Sequence, residues 1–287
     1  MRLFILTLLC LSATWDVFAV PAEVRLLQAP AWLVHDGTRS ALQPGQALAA
    51  SDRIATGPGA RVLLALSEGS TVKLGENAEL ALAELKEPPI ESGVFKGFLD
   101  VVRGAFRFTT AAVGRKRDIQ ARVGTATIGI RGTDVWGKHE DARDFVVLLE
   151  GHIEIERNGQ SVAMSQAQSL FMAPTGQPAL PLAPVNPDDL GAWAQETEPQ
   201  AGGGQRDGQG RYRLMFRLSD QEAEARTLFA QLSVAGQGGE LSELVLGERR
   251  AWRVSVGGYT SEVEAQAGAR ALATVLGGTR PWLSRDP

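Results

Sequence analysis

Between Val24 and about Pro174 the chain keeps to one pattern: short runs with an apolar residue at every second position, punctuated by Gly, Pro and Asn. A two-residue period puts one face of a strand into a core and the other towards solvent, and little in this region has helical period. Val72 and Leu74 alternate with Thr71 and Lys73, and Leu80 and Leu82 with small residues. Phe106 and Phe108 alternate with Ala105 and Arg107, and Ile128 and Ile130 with Thr127 and Gly129. Val62 to Leu66 and Phe145 to Leu149 are continuous apolar runs, as for strands buried on both sides. The sharpest local signal runs from Ile153 to Met164, where alternating residues flank Asn158-Gly159. That pair suits a type I′ hairpin turn, which needs positive φ at both central residues. Many short strands with such punctuation predict a β-sandwich or roll.

The last segment reads differently. Tyr212 to Leu218 alternates strictly; Ser219 with Glu222 then forms a capping-box pattern, and Ala225, Leu228, Phe229 and Leu232 fall on one helical stripe. Leu244 to Leu246 is a short strand, 247–250 a turn, and Trp252 to Val256 a second alternating strand. Ser261 with Glu264 repeats the capping box before a stripe of Ala265, Ala269, Leu272 and Leu276, and Thr279 to Ser284 supplies a final strand. The order is β-α-β-β-α-β, which makes one antiparallel sheet with both helices on one face. Leu214, Phe216, Val254 and Val256 are expected to face the helices. Arg213, Met215, Arg217, Arg253 and Ser255 are expected on the open face.

Between these pieces, Gln177 to Gly210 is rich in Pro and then Gly. The Pro-rich half is expected to be extended and the Gly-rich half flexible, so the segment reads as a tether. Asp188 to Glu198 could form a short helix, with Trp193 docking it onto the first domain.

The amino end has the pattern of a secretory leader: Met1-Arg2, an apolar core from Leu3 to Ala13, and Val17-Phe18-Ala19 before the expected cut. The core is about half the roughly 20 residues needed to span a bilayer, and no later run is long enough. Cys10, the single cysteine, lies inside the leader, so the mature chain would hold neither disulfides nor cysteine-ligated metal. The formal charge of −4 gives no general attraction to nucleic acid or anionic lipid.

No catalytic constellation is evident. The three histidines, His35, His139 and His152, have no paired metal spacing. His139 with Glu140 and Asp141 reads as an exposed turn, and His152 as pointing outward. There is no nucleophile elbow, and the basic run at 114–117 is too short to argue for nucleic acid. Two carboxylates meeting in space would suffice for a glycosidase, so a wall hydrolase stands as a third reading.

The segment Trp252-Arg253-Val254-Ser255-Val256-Gly257-Gly258-Tyr259-Thr260-Ser261, followed by Glu264-Ala265 and Pro281-Trp282, resembles the SPOR (sporulation-related repeat) family over about a quarter of the chain. The resemblance implies binding to peptidoglycan glycan strands stripped of stem peptides and enriched at division septa. It implies contacts from Met215, Trp252 and Trp282. Many members carry glutamine where this chain has Met215, which removes an amide that could bond sugar hydroxyls. Arg213, Arg253 and Ser255 complete the expected glycan-binding set. Trp252 shares strand parity with inward Val254, so packing and sugar contact are both open for it.

The N-terminal piece resembles FecR-type periplasmic domains over roughly half the chain. The carrying residues are Gly45 with Asp52-Arg53-Ile54-Ala55-Thr56-Gly57, Gly69-Ser70-Thr71-Val72-Lys73-Leu74, 102–108, 123–134, Leu149-Glu150-Gly151 and Ser165-Gln166-Ala167-Gln168. Its most specific run, Ile130-Arg131-Gly132-Thr133, is expected to be structural: Gly132 for a tight turn, Arg131 tying loops. With the leader beginning at Met1 no cytoplasmic segment is expected, so the transmembrane anti-sigma role of some members is not carried over.

The resulting expectation is a two-domain chain: leader 1–19, all-β FecR-like sandwich or roll 22–175, linker 176–210, and a small α+β SPOR-like βαββαβ domain 211–285. It is expected to be an exported, non-enzymatic, periplasmic protein without cofactor or metal, enriched at the division septum. It would bind peptidoglycan glycan strands and present the β domain to an envelope protein partner. No nucleic acid and no membrane span after leader removal are expected. The alternative is a signalling or scaffold protein acting through the β domain.

Overall fold

The computed structural model describes residues 21–86, 93–111, 116–278 and 280–286. The leader at 1–19, part of the basic run at 114–117, and Thr279 lie outside the described residues.

The alternating runs form two facing sheets. One contains Ala22–Gln28, Arg61–Leu66, Thr71–Leu74, Asp134–Glu140, Arg143–Glu150 and Ser169–Pro174. The other contains Ala31–His35, Arg53–Thr56, Glu79–Lys86, Lys116–Val123, Ala126–Ile130, Ile153–Arg157 and Gln160–Met164. Inward residues of both, among them Leu64, Phe106, Phe108, Leu80, Ile128 and Ile155, form one shared core. Burying these side chains is the main stabilising term, about 1.5–3 kcal/mol for each large one.

One long strand, Val94–Thr109, belongs to both sheets. Up to Arg103 it pairs with Glu79–Lys86 and runs parallel to Lys116–Val123; from Gly104 it pairs with Thr71–Leu74 and Asp134–Glu140. Gly104 makes the transfer possible. Its φ is +81°, and an added Cβ would lie 2.6 Å from the Ala78 Cα. The hairpin is as expected, with φ of +51° at Asn158 and +75° at Gly159.

Phe145 to Leu148 is buried on both faces, because the segment after the sandwich folds back over it. Helix Pro187–Thr197 starts at Asn186, whose side chain accepts from the Asp188 N–H. Trp193 stacks on Trp136 at 5.3 Å between ring centroids, over Phe145 and Val147. Val62–Leu66 differs from expectation: Val62, Leu64 and Leu66 are buried while Leu63 and Ala65 are only partly covered. There the outer face meets the polar end of the connector, where Glu198 pairs with Lys73 at 2.5 Å.

The glycine-rich half of the connector, expected to be flexible, is held by side chains far away in sequence. The Gln28 amide brackets Gln200, accepting from its N–H at 2.7 Å and donating to its carbonyl at 3.1 Å. The Glu264 carboxylate accepts from the N–H groups of Gly202 at 2.7 Å, Gly204 at 2.7 Å and Gln205 at 2.9 Å. Arg206 then bridges the domains. Its backbone pairs with Leu27, and its buried guanidinium donates to the carbonyls of Gly257 and Gln237 and to Gln43 Oε1. The Trp32 indole N–H satisfies the Val234 carbonyl, left over at a helix end.

The C-terminal domain has the expected order: Tyr212–Ser219, helix Glu222–Val234, Glu240–Leu246, Arg249–Tyr259, helix Glu262–Val275 and Trp282–Arg285. The sheet order places Tyr212–Ser219 and Arg249–Tyr259 at the centre, with Glu240–Leu246 and Trp282–Arg285 outside them. Leu214, Phe216, Val254, Val256 and Tyr259 meet Ala225, Leu232, Ala265 and Leu272 in one core. Ser261 caps the second helix through the Glu264 N–H. The first capping box is not formed: Gln221 occupies the cap, Ser219 Oγ accepts from its N–H, and Glu222 pairs with Arg226 one turn on.

Candidate sugar-binding face

Cross-strand register assigns each side chain to a face, because directly opposed residues point the same way. Both helices lie on the side of Leu214, Val254 and Val256. On the other side, Trp282 stands opposite Met215, Met215 opposite Ser255, and Ser255 opposite Glu240. These four form a row across the whole sheet. Beside it Arg213 is opposite Ser284, and a third row runs Leu218, Arg253, Ser242. Trp282 is 51% exposed and Leu218 50% exposed, so two apolar groups stand in the open at separate points of this face.

Five of the six expected residues, Arg213, Met215, Arg253, Ser255 and Trp282, are therefore brought together. Trp252 is not. It lies opposite Ser219 and Glu243, shares the side of Val254, and packs against the helix-side core. Arg217 also departs from expectation. The register shifts between Met215 and Arg217, which sets Arg217 opposite inward Val254, and it pairs with Glu224 of the first helix at 2.9 Å. This bulge carries Leu218 to the open face in its place.

Arg213 is the best-tied side chain here. It pairs with Glu240, with Asp286 at 3.2 Å, and donates to Ser255 Oγ at 3.1 Å. Burial opposes its charge, but the hydrogen bonds and fields of Glu240 and Asp286 prevail and hold its pKa above the ordinary value. Ser255 is fully covered by these neighbours. Sequence reasoning missed Glu240, Asp286 and Leu218: the first two lie beyond the alternating cores of their strands, and the third depends on the bulge.

Elsewhere, a polar cleft of about 230 Å³ opens beside the Ile-Arg-Gly-Thr run, lined by Asp118, Gln120, Arg131, His152, Glu154 and Glu156. Arg131 is exposed in it rather than tying loops. The loops are tied instead by the Thr133 N–H on Thr110 Oγ1 and by Arg107 on Asp134 at 2.6 Å. Gly132 has the expected positive φ of +68°. His139 is not in an exposed turn: it lies within the strand Asp134–Glu140 and meets Asp144 at 2.6 Å, and Asp144 also holds the Thr125 N–H and hydroxyl. Among the described residues no group of three or more His, Cys, Asp or Glu is arranged to hold a metal, and no helix is long and apolar enough to cross a membrane.

Comparison with known proteins finds two family models that match separate parts of the chain. Residues 52–154 match the FecR protein family model, and residues 208–285 match the SPOR domain model. A search of the curated proteins gives no match. Two crystal structures of a candidate anti-sigma factor from Parabacteroides distasonis ATCC 8503 align with 82% of this chain and 99% of theirs, each at a TM-score of 0.40. Their identities to this chain are 14% and 15%. The chain carries a FecR domain and, after it, a C-terminal SPOR domain.

Proposed function

We propose that this is an exported, periplasmic binding protein whose SPOR domain docks on peptidoglycan glycan strands, stripped ones at the division septum above all. The FecR domain, within 22–175, is offered to an envelope protein partner, joined through 176–210 to the glycan-binding unit at 211–285. The observation that carries the reading is the exposed Trp282 beside Met215 on a sheet face that neither helix covers. Sugar rings have apolar C–H faces and polar edges. An exposed indole and a thioether serve the former, while Ser284, Arg213 and Arg253 serve the latter. A shallow face of this kind supports affinity of roughly micromolar order, since association entropy must first be offset.

The test is cosedimentation of the full chain with purified sacculi, from amidase-treated cells and untreated ones. Binding that is stronger to the treated sacculi and abolished by Trp282→Ala supports the reading; equal recovery of the variant contradicts it.

A second reading, signalling or scaffolding through the FecR domain, is favoured by the clasp of Gln28, Glu264 and Arg206. That clasp seats the two domains on one another and makes the SPOR domain part of a fixed body. Removing residues 211–285 would then leave localisation unchanged, whereas loss of a midcell band follows from glycan targeting.

A further inference from the structure

The open face carries two arginines in opposite conditions. Arg213 is neutralised by Glu240 and Asp286. The Arg253 side chain, in the row between Leu218 and Ser242, has no hydrogen bond or ion pair among the described residues, and its Nε is enclosed without an acceptor. A half-buried guanidinium loses water without recovering an anion, a cost that a ligand bearing an acid group would relieve. Around it stand the exposed apolar Leu218, the hydroxyl of Ser242 and, across the face, Trp282. One unneutralised cation among apolar and hydroxyl groups complements an acidic sugar better than a neutral one.

Resting on the glycan reading above, we infer that Arg253 recognises a carboxylate on the sugar strand, namely the lactyl carboxylate of a muramyl residue whose stem peptide has been removed. While the peptide is attached, that carboxyl is an amide, uncharged and followed by a bulky chain. Hydrolysis adds water across the amide, releases the peptide amine and leaves the carboxylate on the sugar. A planar guanidinium matches such a carboxylate with two parallel hydrogen bonds. Arg213 cannot take this part, because its donors already face two carboxylates. Stripped strands are then told from peptide-bearing ones by charge, in addition to the room a flat sheet face needs.

The experiment titrates the full chain with three probes: soluble stripped glycan, the same glycan with its carboxylates converted to amides by carbodiimide and ammonia, and chitin oligosaccharide, which lacks the lactyl group. The wild type is expected to bind the charged glycan about tenfold more tightly than the other two. Arg253→Gln should abolish that difference by weakening the charged glycan about tenfold more than the amidated glycan or chitin, with the melting temperature unaltered; Arg253→Lys should retain part of the preference. Equal wild-type affinity for charged and amidated glycan overturns the inference, as does an Arg253→Gln loss that is the same for both. Trp282→Ala should weaken all three probes alike. If the wild type binds none of the three, the glycan reading itself falls and takes this inference with it.

Discussion

Two tryptophans only thirty positions apart stand in different surroundings, and on the glycan reading their variants separate packing from recognition. Trp252 packs beside Val254 against the helices, so Trp252→Ala should cost about 2 kcal/mol by lost burial and lower the melting temperature. Trp282 is half exposed, so Trp282→Ala should change stability by no more than about 0.5 kcal/mol while removing sacculus binding. Thermal denaturation beside cosedimentation checks both. His35 gives a pH-dependent counterpart. Its ring meets Asp52 at 2.5 Å, and that hydrogen bond, with the charges of Asp52 and Asp36, raises its pKa above 6.5. Because the folded value is the higher one, the stabilisation is full below the unfolded pKa of about 6.5 and is lost as pH rises through the raised value. An NMR titration should place the His35 midpoint above 6.5, and Asp52→Asn should lower it. Tyr259 behaves in the same sense higher up: burial pushes its hydroxyl to about 12, against the opposing charge of Arg206.

Strands and helices were legible where period and punctuation were local. The Asn158-Gly159 turn, each separate element of the β-α-β-β-α-β order and the helix that carries Trp193 all follow from neighbouring residues. The bulge at Phe216 was not legible, since no glycine or proline marks it, and it exchanged Arg217 for Leu218 on the open face. The connector was misread for a different reason. Glycine content speaks for chain entropy, but the three N–H groups that hold it in place meet a carboxylate about sixty residues away. Glu264→Gln should leave some of those buried donors unmatched, at a cost of roughly 1–3 kcal/mol. Proteolysis should then cut between Ala201 and Gln205, where the wild type resists. Gly104→Ala tests the strand that changes sheets: the positive φ and the approach to Ala78 predict a loss of roughly 2–5 kcal/mol in chemical denaturation.

Two joined domains can act either as floats on a tether or as one stiff piece. The contacts of Arg206 and Gln28, and the seat of Gly236 on Trp32, make these the latter. Backbone relaxation should accordingly give one tumbling time for both domains rather than two. On the proposed glycan reading, stiffness fixes where the FecR domain stands once the SPOR domain has docked. All of this depends on which surface meets sugar, and amide and side-chain chemical-shift mapping of the full chain with stripped glycan answers that. Shifts should concentrate on Arg213, Met215, Arg253, Ser255 and Trp282, with Trp252 and the cleft around Arg131 and His152 unmoved. Shifts confined to the helix side or to that cleft would contradict the glycan reading.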